Sequence, residues 1–437
     1  MVHWIGRTMT SDRGWSLLED VVDESPRMAG SPGERRAAQR FRDALETAGA
    51  RDARLEPFDV QGWRRASSSL ETDDGTAACI ALPRSPAESV TAPLVDLEYG
   101  LPADVRRADL EGAIAMVRSD VPPHFDRYVH RREKYYRAVE AGAVGFVYRN
   151  HVPGCLAPTG SVGNRSEPIG PVPAVGVSKE TGARLARRHA GDEVTLSVDA
   201  HLEPASSQNV RASLGPETDE WLVLSCHVDA HDIAEGALDN GAGMAVTLEM
   251  VNALAERIDE LERRVEVVGF GAEEVGLVGS SVLADRVALE DLLAVYNNDG
   301  VGRGRTIELF DNGFDRLGAL GRTVADRFDH PIELNPAMAP HSDHWPFVER
   351  GVPAAFAMSI VDDVGRGWGH TAADTLDKVD VRHLREHAVF GTEYVLELAR
   401  MDPPPSHVTP ETVADRLSEQ GLETGMRAAG DWPFDSA

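Results

Sequence analysis

Apolar positions recur along this chain in two rhythms. Between Gly33 and Ala48, residues Ala37, Phe41, Ala44, Leu45 and Ala48 fall three or four apart, which predicts a helix with one buried face, stopped by Gly49. From about Gln61 to Glu203 the texture changes. Short strand-like runs at 114–117, 144–148, 172–177 and 194–198 alternate with Pro- and Gly-rich turns and with two helical stretches, near 132–141 and 178–189. This middle section reads as a small separate domain. After Asn209 come four nearly continuous apolar runs, 221–225, 265–270, 293–296 and 354–358, with a helical segment at 242–257 among them. Such runs suit central strands buried on both faces. Strands alternating with helices predict the α/β class. Pro403, Pro404 and Pro405 mark the end of the core. The tail beyond them predicts a peripheral helix over 410–420 or disorder.

Length and composition sharpen this picture. A chain of 437 residues is roughly two or three domains long. Hydrophobic residues at 42% and charged residues at 27% predict a packed core instead of disorder. No run approaches the ~18 apolar residues of a membrane span. The first ten residues lead into no apolar stretch, so no signal peptide is expected, and the expected location is the cytoplasm. The three cysteines, Cys79, Cys155 and Cys226, are scattered and form neither a disulfide framework nor a C-x-x-C zinc site. A net charge of −28 argues against nucleic acid as a partner. Only three of the 44 basic residues are lysines, Lys134, Lys179 and Lys378. So acidic a surface repels itself at low salt. Molar salt cuts the Debye length to about 3 Å. A high-salt cytoplasm is the expected setting.

The candidate chemistry lies where the apolar runs end. Run 221–225 leads into Cys226-His227-Val228-Asp229, run 265–270 into Gly271-Ala272-Glu273-Glu274, and run 293–296 into Asn297-Asn298-Asp299-Gly300. Open α/β sheets bind ligands outside the carboxyl ends of their strands. Two further clusters are Leu238-Asp239-Asn240-Gly241-Ala242-Gly243, before a helix, and Gly369-His370-Thr371 after the last run. Together they offer two imidazoles, His227 and His370, and four carboxylates, Asp239, Glu273, Glu274 and Asp299. Mixed nitrogen and oxygen donors without thiolate suit catalytic Zn²⁺. Five of the six would fill a two-metal site with one bridging carboxylate, leaving one as a base. Spacing alone does not say which is which.

Six segments in order carry a resemblance: 226–229, 236–243, Ala272-Glu273-Glu274-Val275-Gly276-Leu277, Asn298-Asp299-Gly300-Val301-Gly302, Ser342-Asp343-His344, and His370-Thr371-Ala372-Ala373-Asp374-Thr375. Together they resemble the M28 family of zinc peptidases, which includes leucyl-type aminopeptidases and glutamate carboxypeptidases. The middle section resembles the protease-associated (PA) domain inserted in many members, through 112–118, 141–146 and 172–178. The segment Pro26-Arg27-Met28-Ala29-Gly30-Ser31 resembles the start of these enzymes. The resemblance implies a zinc-exopeptidase fold of the phosphorylase/hydrolase-like kind, with a mixed central sheet flanked by helices and a small β-rich insert. It divides the chain into a catalytic unit from 1–60 and 204–401, an inserted domain at 61–203, and an acidic tail at 402–437.

It also implies roles. Two Zn²⁺ ions would be held, one by His227 and Asp299, the other by Glu274 and His370, with Asp239 bridging. Glu273 would be the general base. Asp229 would accept a hydrogen bond from His227 and fix its tautomer. The Asp239–Asn240 peptide would be cis, and Gly241 and Gly243 would let the chain turn tightly into the helix. Ala230 and Gly300 depart from the family pattern, and neither is an implied ligand. The expected activity is removal of N-terminal residues from peptides. Carboxypeptidase or dipeptidase action is the alternative within the family, and a non-catalytic receptor-like module the alternative outside it. The insert could cover the site, restrict substrate size or support a homodimer. His344, and less so His341, are candidates for the substrate pocket, with Trp345 and Phe347 as possible walls. The remaining histidines, His231 among them, read as surface or packing residues.

Overall fold

Four buried strands run parallel in the spatial order Arg264–Phe270, Trp221–His227, Leu292–Asn298 and Ala354–Ser359. Every residue of Trp221–His227 and Leu292–Asn298 is buried, as their continuous apolar runs predict. Antiparallel Ile307–Phe310 extends the sheet beyond Ala354–Ser359, and Ile332–Asn335 pairs parallel to it. On the other side Glu193–Leu214 pairs antiparallel with Arg264–Phe270. The sheet is therefore mixed. Helices Ala242–Glu256 and Val381–Arg400 pack on it and on each other, and Arg13–Val22 packs on Ala242–Glu256. The computed structural model describes residues 3–361 and 367–436. Among these residues no helix is long and apolar enough to cross a membrane.

The middle section is tied to this sheet by two long antiparallel strands, Arg51–Thr72 and Glu193–Leu214. They pair from Arg51 opposite Ser213 to Glu71 opposite Thr195. The strand expected over 194–198 thus extends much further. Its central part, His201 to Pro204, is exposed, and the facing strand carries Arg64 and Arg65. Such a stretch has no apolar alternation to announce it. The insert adds strands Ser89–Asp96, Ile114–Arg118, Gly145–Arg149 and Ala174–Val177 and helices Arg131–Glu140 and Lys179–Arg188. Ile114 and Met116 point into one core with Leu94, Val147 and Leu196. Ala115 and Val117 point into another with Tyr135, Phe146 and Tyr148. That alternation is the period of a strand covered on both sides.

The acidic tail is built into the fold. Helix Pro410–Glu419 buries Val413 and Leu417 in the core of the large sheet. Helix Glu423–Ala429 packs on Arg131–Glu140 of the insert, where Ala429 joins the insert core. Asp431 pairs with Arg132 at 2.8 Å, and Gln420 accepts the N–H of Met338 at 3.0 Å. The tail therefore touches both units.

Candidate metal centre

The parallel strands deliver their carboxyl ends to one place. His227 is the last residue of its strand, Asp299 follows Leu292–Asn298 directly, and Glu273 and Glu274 lie just beyond Arg264–Phe270. Asp239 sits in the turn Ala237–Gly241 before helix Ala242–Glu256.

Asp239 is shared between two imidazoles. Its Oδ1 lies 3.2 Å from His227 Nε2 and its Oδ2 lies 3.2 Å from His370 Nε2. His227 Nε2 is 3.6 Å from Asp299 Oδ1, and His370 Nε2 is 3.3 Å from Glu274 Oε2. Two groups of donors result: His227 with Asp239 and Asp299, and His231 with Glu274 and His370. The structure thus brings Glu273, Asp229 and all five expected ligands together. It also adds His231, which no motif marks and which was expected at the surface or in packing.

These separations fit metal ligation. A tetrahedral ion with bonds of about 2.0–2.1 Å has donor–donor edges of about 3.3–3.4 Å. His227 Nε2 and Glu274 Oε1 are buried without a hydrogen-bond partner, which is unusual for buried polar atoms. Buried acid also outnumbers buried arginine here: Asp229, Asp239, Glu274 and Asp374 face Arg27 and Arg303. The excess of one sign calls for a further cation.

The surroundings fix each donor. His227 Nδ1 donates to the main-chain carbonyl of Asp229 at 3.0 Å, with the carboxylate at 3.5 Å. So it is the Asp229 carbonyl that fixes the tautomer and leaves Nε2 free to ligate. The Asp229 carboxylate instead accepts the N–H groups of Glu273 (3.0 Å) and Glu274 (3.2 Å) and orients that pair. Ser342 donates to Asp299 Oδ2 at 2.6 Å. The Asp374 carboxylate accepts the N–H groups of Leu238 and Asp239. Arg27, fully buried, donates to the carbonyls of Val21, Val228, Glu235 and Gly236, pinning two site loops. Glu34 accepts from Ala272 N at 3.1 Å, Ser207 Oγ at 2.6 Å and Gly30 N at 2.7 Å. Ala272 and His370 are both left-handed, at φ 57°, a conformation that non-glycine residues keep only where the surroundings hold it.

The Asp239–Asn240 peptide is cis. The two glycines after it act differently from expectation. Gly241 is helical, at φ −55°, and the left-handed turn belongs to Gly236, at φ 63°. Gly243 is required by closeness, because a Cβ there would lie 2.1 Å from Asn240 Oδ1.

Electrostatics separates the acids. Burial opposes ionisation of Asp239, yet His227 and His370 hold it well below the usual carboxylate range. Glu274 is likewise held low, against burial, by His231 and His370. Glu273 moves the other way: burial, with the charge of Glu274 among the causes, pushes it well above the ordinary value. Burial lowers His231 and lifts the Cys226 thiol to about 12. A thiol so suppressed is no nucleophile.

The centre opens into a cleft of about 1420 Å³. Glu273 and Asp299 line it, with Arg127, Tyr128 and His130 to Arg132 of the insert on one wall, His341 and Phe356 on another, and Gln420 to Leu422 of the tail. His344 is not in the wall. It is fully buried and stacked on Phe356 at 4.8 Å, while Trp345 and Phe347 are core residues. His341 holds the wall position instead, stacked on His130 of the insert at 4.5 Å.

Comparison with known proteins gives consistent matches. The profile of peptidase family M28 matches residues 209–395, and that of the PA domain matches 90–185. The chain is 26% identical over 411 residues to the aminopeptidase YwaD of Bacillus subtilis (strain 168), covering 90% of this chain and 85% of that protein. It is 25% identical over 387 residues to carboxypeptidase Q of Bos taurus, covering 84% and 81%. The solved aminopeptidase from Aneurinibacillus sp. strain AM-1 superposes with a TM-score of 0.68 at 26% identity, covering 91% of this chain and 96% of that one.

Proposed function

We propose that this chain, a metallopeptidase of family M28 with an inserted PA domain, is a two-zinc aminopeptidase that removes N-terminal residues from peptides. The observation that carries the reading is the Asp239 carboxylate, one oxygen 3.2 Å from His227 and the other 3.2 Å from His370. A carboxylate divided in this way would serve two cations, one on each oxygen. His227, Asp239 and Asp299 would hold one zinc. Glu274, His370 and Asp239 would hold the other. When bound, the ions supply Lewis acidity: they acidify a water and stabilise negative charge on the substrate carbonyl oxygen.

The protein's own part follows from the geometry. Glu273 lines the cleft and is oriented by the Asp229 carboxylate through its backbone N–H. Its burial raises its proton affinity, which suits a base that takes a proton from water and returns it to the leaving amine. The cleft walls would hold the peptide in one orientation against the centre.

The test is hydrolysis of leucine p-nitroanilide beside its N-acetylated form in molar KCl, repeated with a chelator and then with added Zn²⁺. Cleavage of the free-amine substrate alone, lost with chelator and restored by zinc, is expected. Cleavage of N-blocked peptides from the carboxyl end would overturn the aminopeptidase reading. Failure of zinc to restore activity would overturn the metal.

A further inference from the structure

His231 has a place in the centre that no motif gives it. It lies four residues beyond His227 in a loop held by a hydrogen bond from Ala230 N to Arg27 O at 3.1 Å. The side chain is 5% exposed. Its Nε2 lies 2.9 Å from Glu274 Oε2, the oxygen that His370 approaches at 3.3 Å. The two imidazoles meet edge to face, centroids 4.5 Å apart at 86°. Yet the approach to Glu274 is poorly directed for a hydrogen bond, and Nδ1 has no partner. A histidine buried for packing normally satisfies at least one. Here distance is met and hydrogen-bond direction is not, as when lone pairs converge on a common point.

The position supports the same conclusion. His231 does not line the substrate cleft. It lines a small space behind the centre, with Asp239, Glu274, His370 and Asp374. It can reach a cation on the Glu274 side without touching substrate.

We propose that His231 is the fourth protein donor to the cation position formed by Glu274, His370 and Asp239. The inference rests on the two-metal reading and adds an asymmetry to it. Four protein donors close a tetrahedron, whereas three leave a position for water. The open position then belongs to the His227–Asp239–Asp299 side. The closed position fills first, and activity appears with the second equivalent.

The test uses the full-length chain, stripped with a chelator and reloaded with Co²⁺. Hyperfine-shifted imidazole N–H resonances count the ligated histidines. Two equivalents of Co²⁺ should give three such resonances in the wild type, and one equivalent should give two. His231→Gln keeps an N–H for Glu274 but is a poor ligand. It should lose one resonance and bind its tighter Zn²⁺ at least ~10-fold more weakly in competition with a chromophoric chelator. Only two resonances in the doubly loaded wild type, or unchanged Zn²⁺ affinity in the variant, would overturn the proposal and leave the two-metal reading intact. The wild-type count stands whether or not the variant folds. A wild type that takes up fewer than two equivalents would overturn the underlying reading as well.

Discussion

Asp374 holds Asp239 in place through the main chain: its carboxylate accepts the N–H of Leu238 at 2.6 Å and that of Asp239 itself at 3.1 Å. The Asp239 carboxylate is thus positioned by a second acid 135 residues further along the chain. Asp374→Asn replaces one acceptor oxygen by a donor that opposes an N–H. Metal affinity should fall by roughly 10–100-fold while the far-UV circular dichroism spectrum stays unchanged. Competition with a chromophoric chelator measures the loss. Unchanged affinity would mean that the turn holds itself.

Glu273→Gln separates base from ligand. The amide cannot accept the water's proton, so kcat should drop by roughly 10²–10⁴-fold. Zinc content, measured by atomic emission, should stay at the wild-type value. Loss of a zinc equivalent would make Glu273 a ligand.

Stability should depend on pH through Glu34. Burial, assisted by the charge of Asp229, pushes its carboxyl up to about 8. In the unfolded chain it titrates near ~4.3. Between those values the native state binds more protons than the unfolded state, so this group's contribution falls as pH rises and is largest at the acid end. The urea midpoint of the zinc-saturated wild type should fall between about pH 5 and 8 by more than that of Glu34→Gln, whose side chain stays neutral. Equal slopes would refute the assignment.

The charge of −28 predicts a salt response. Raising KCl from low concentration to about 1 M screens the self-repulsion, and Tm by calorimetry should rise. A flat or falling Tm would show that the acidic surface needs no screening.

The buried parts of this molecule were the legible ones. The runs at 221–225, 265–270, 293–296 and 354–358 each fall within a central strand, because residues covered on both faces leave a continuous apolar signature. Helix Pro32–Thr47 was visible through its 3- and 4-residue spacing. Strand Arg51–Thr72 left no such mark, because its few buried side chains, Phe58 and Val60 in one core and Trp63 and Leu70 in another, are spread among exposed positions along a strand held mainly by pairing with Glu193–Leu214. At the centre, residues at strand ends were readable from ordered motifs. His231 was not, because its role depends on a 2.9 Å approach to Glu274 across the fold. The same holds for Glu34, whose contacts to Ala272 and Ser207 span 238 and 173 residues. Of the two pocket candidates, His341 and not the favoured His344 reached the wall, because stacking on Phe356 or on His130 cannot be read from adjacency.

The tail helices Pro410–Glu419 and Glu423–Ala429 join the sheet core to the insert. On the ribosome these residues emerge after everything they connect. The insert and the sheet can each collapse earlier, as units made first fold first, but the wall of Gln420 to Leu422 is still missing then. A nascent chain therefore carries a peptidase centre whose cleft stays unfinished until these last helices have left the ribosome.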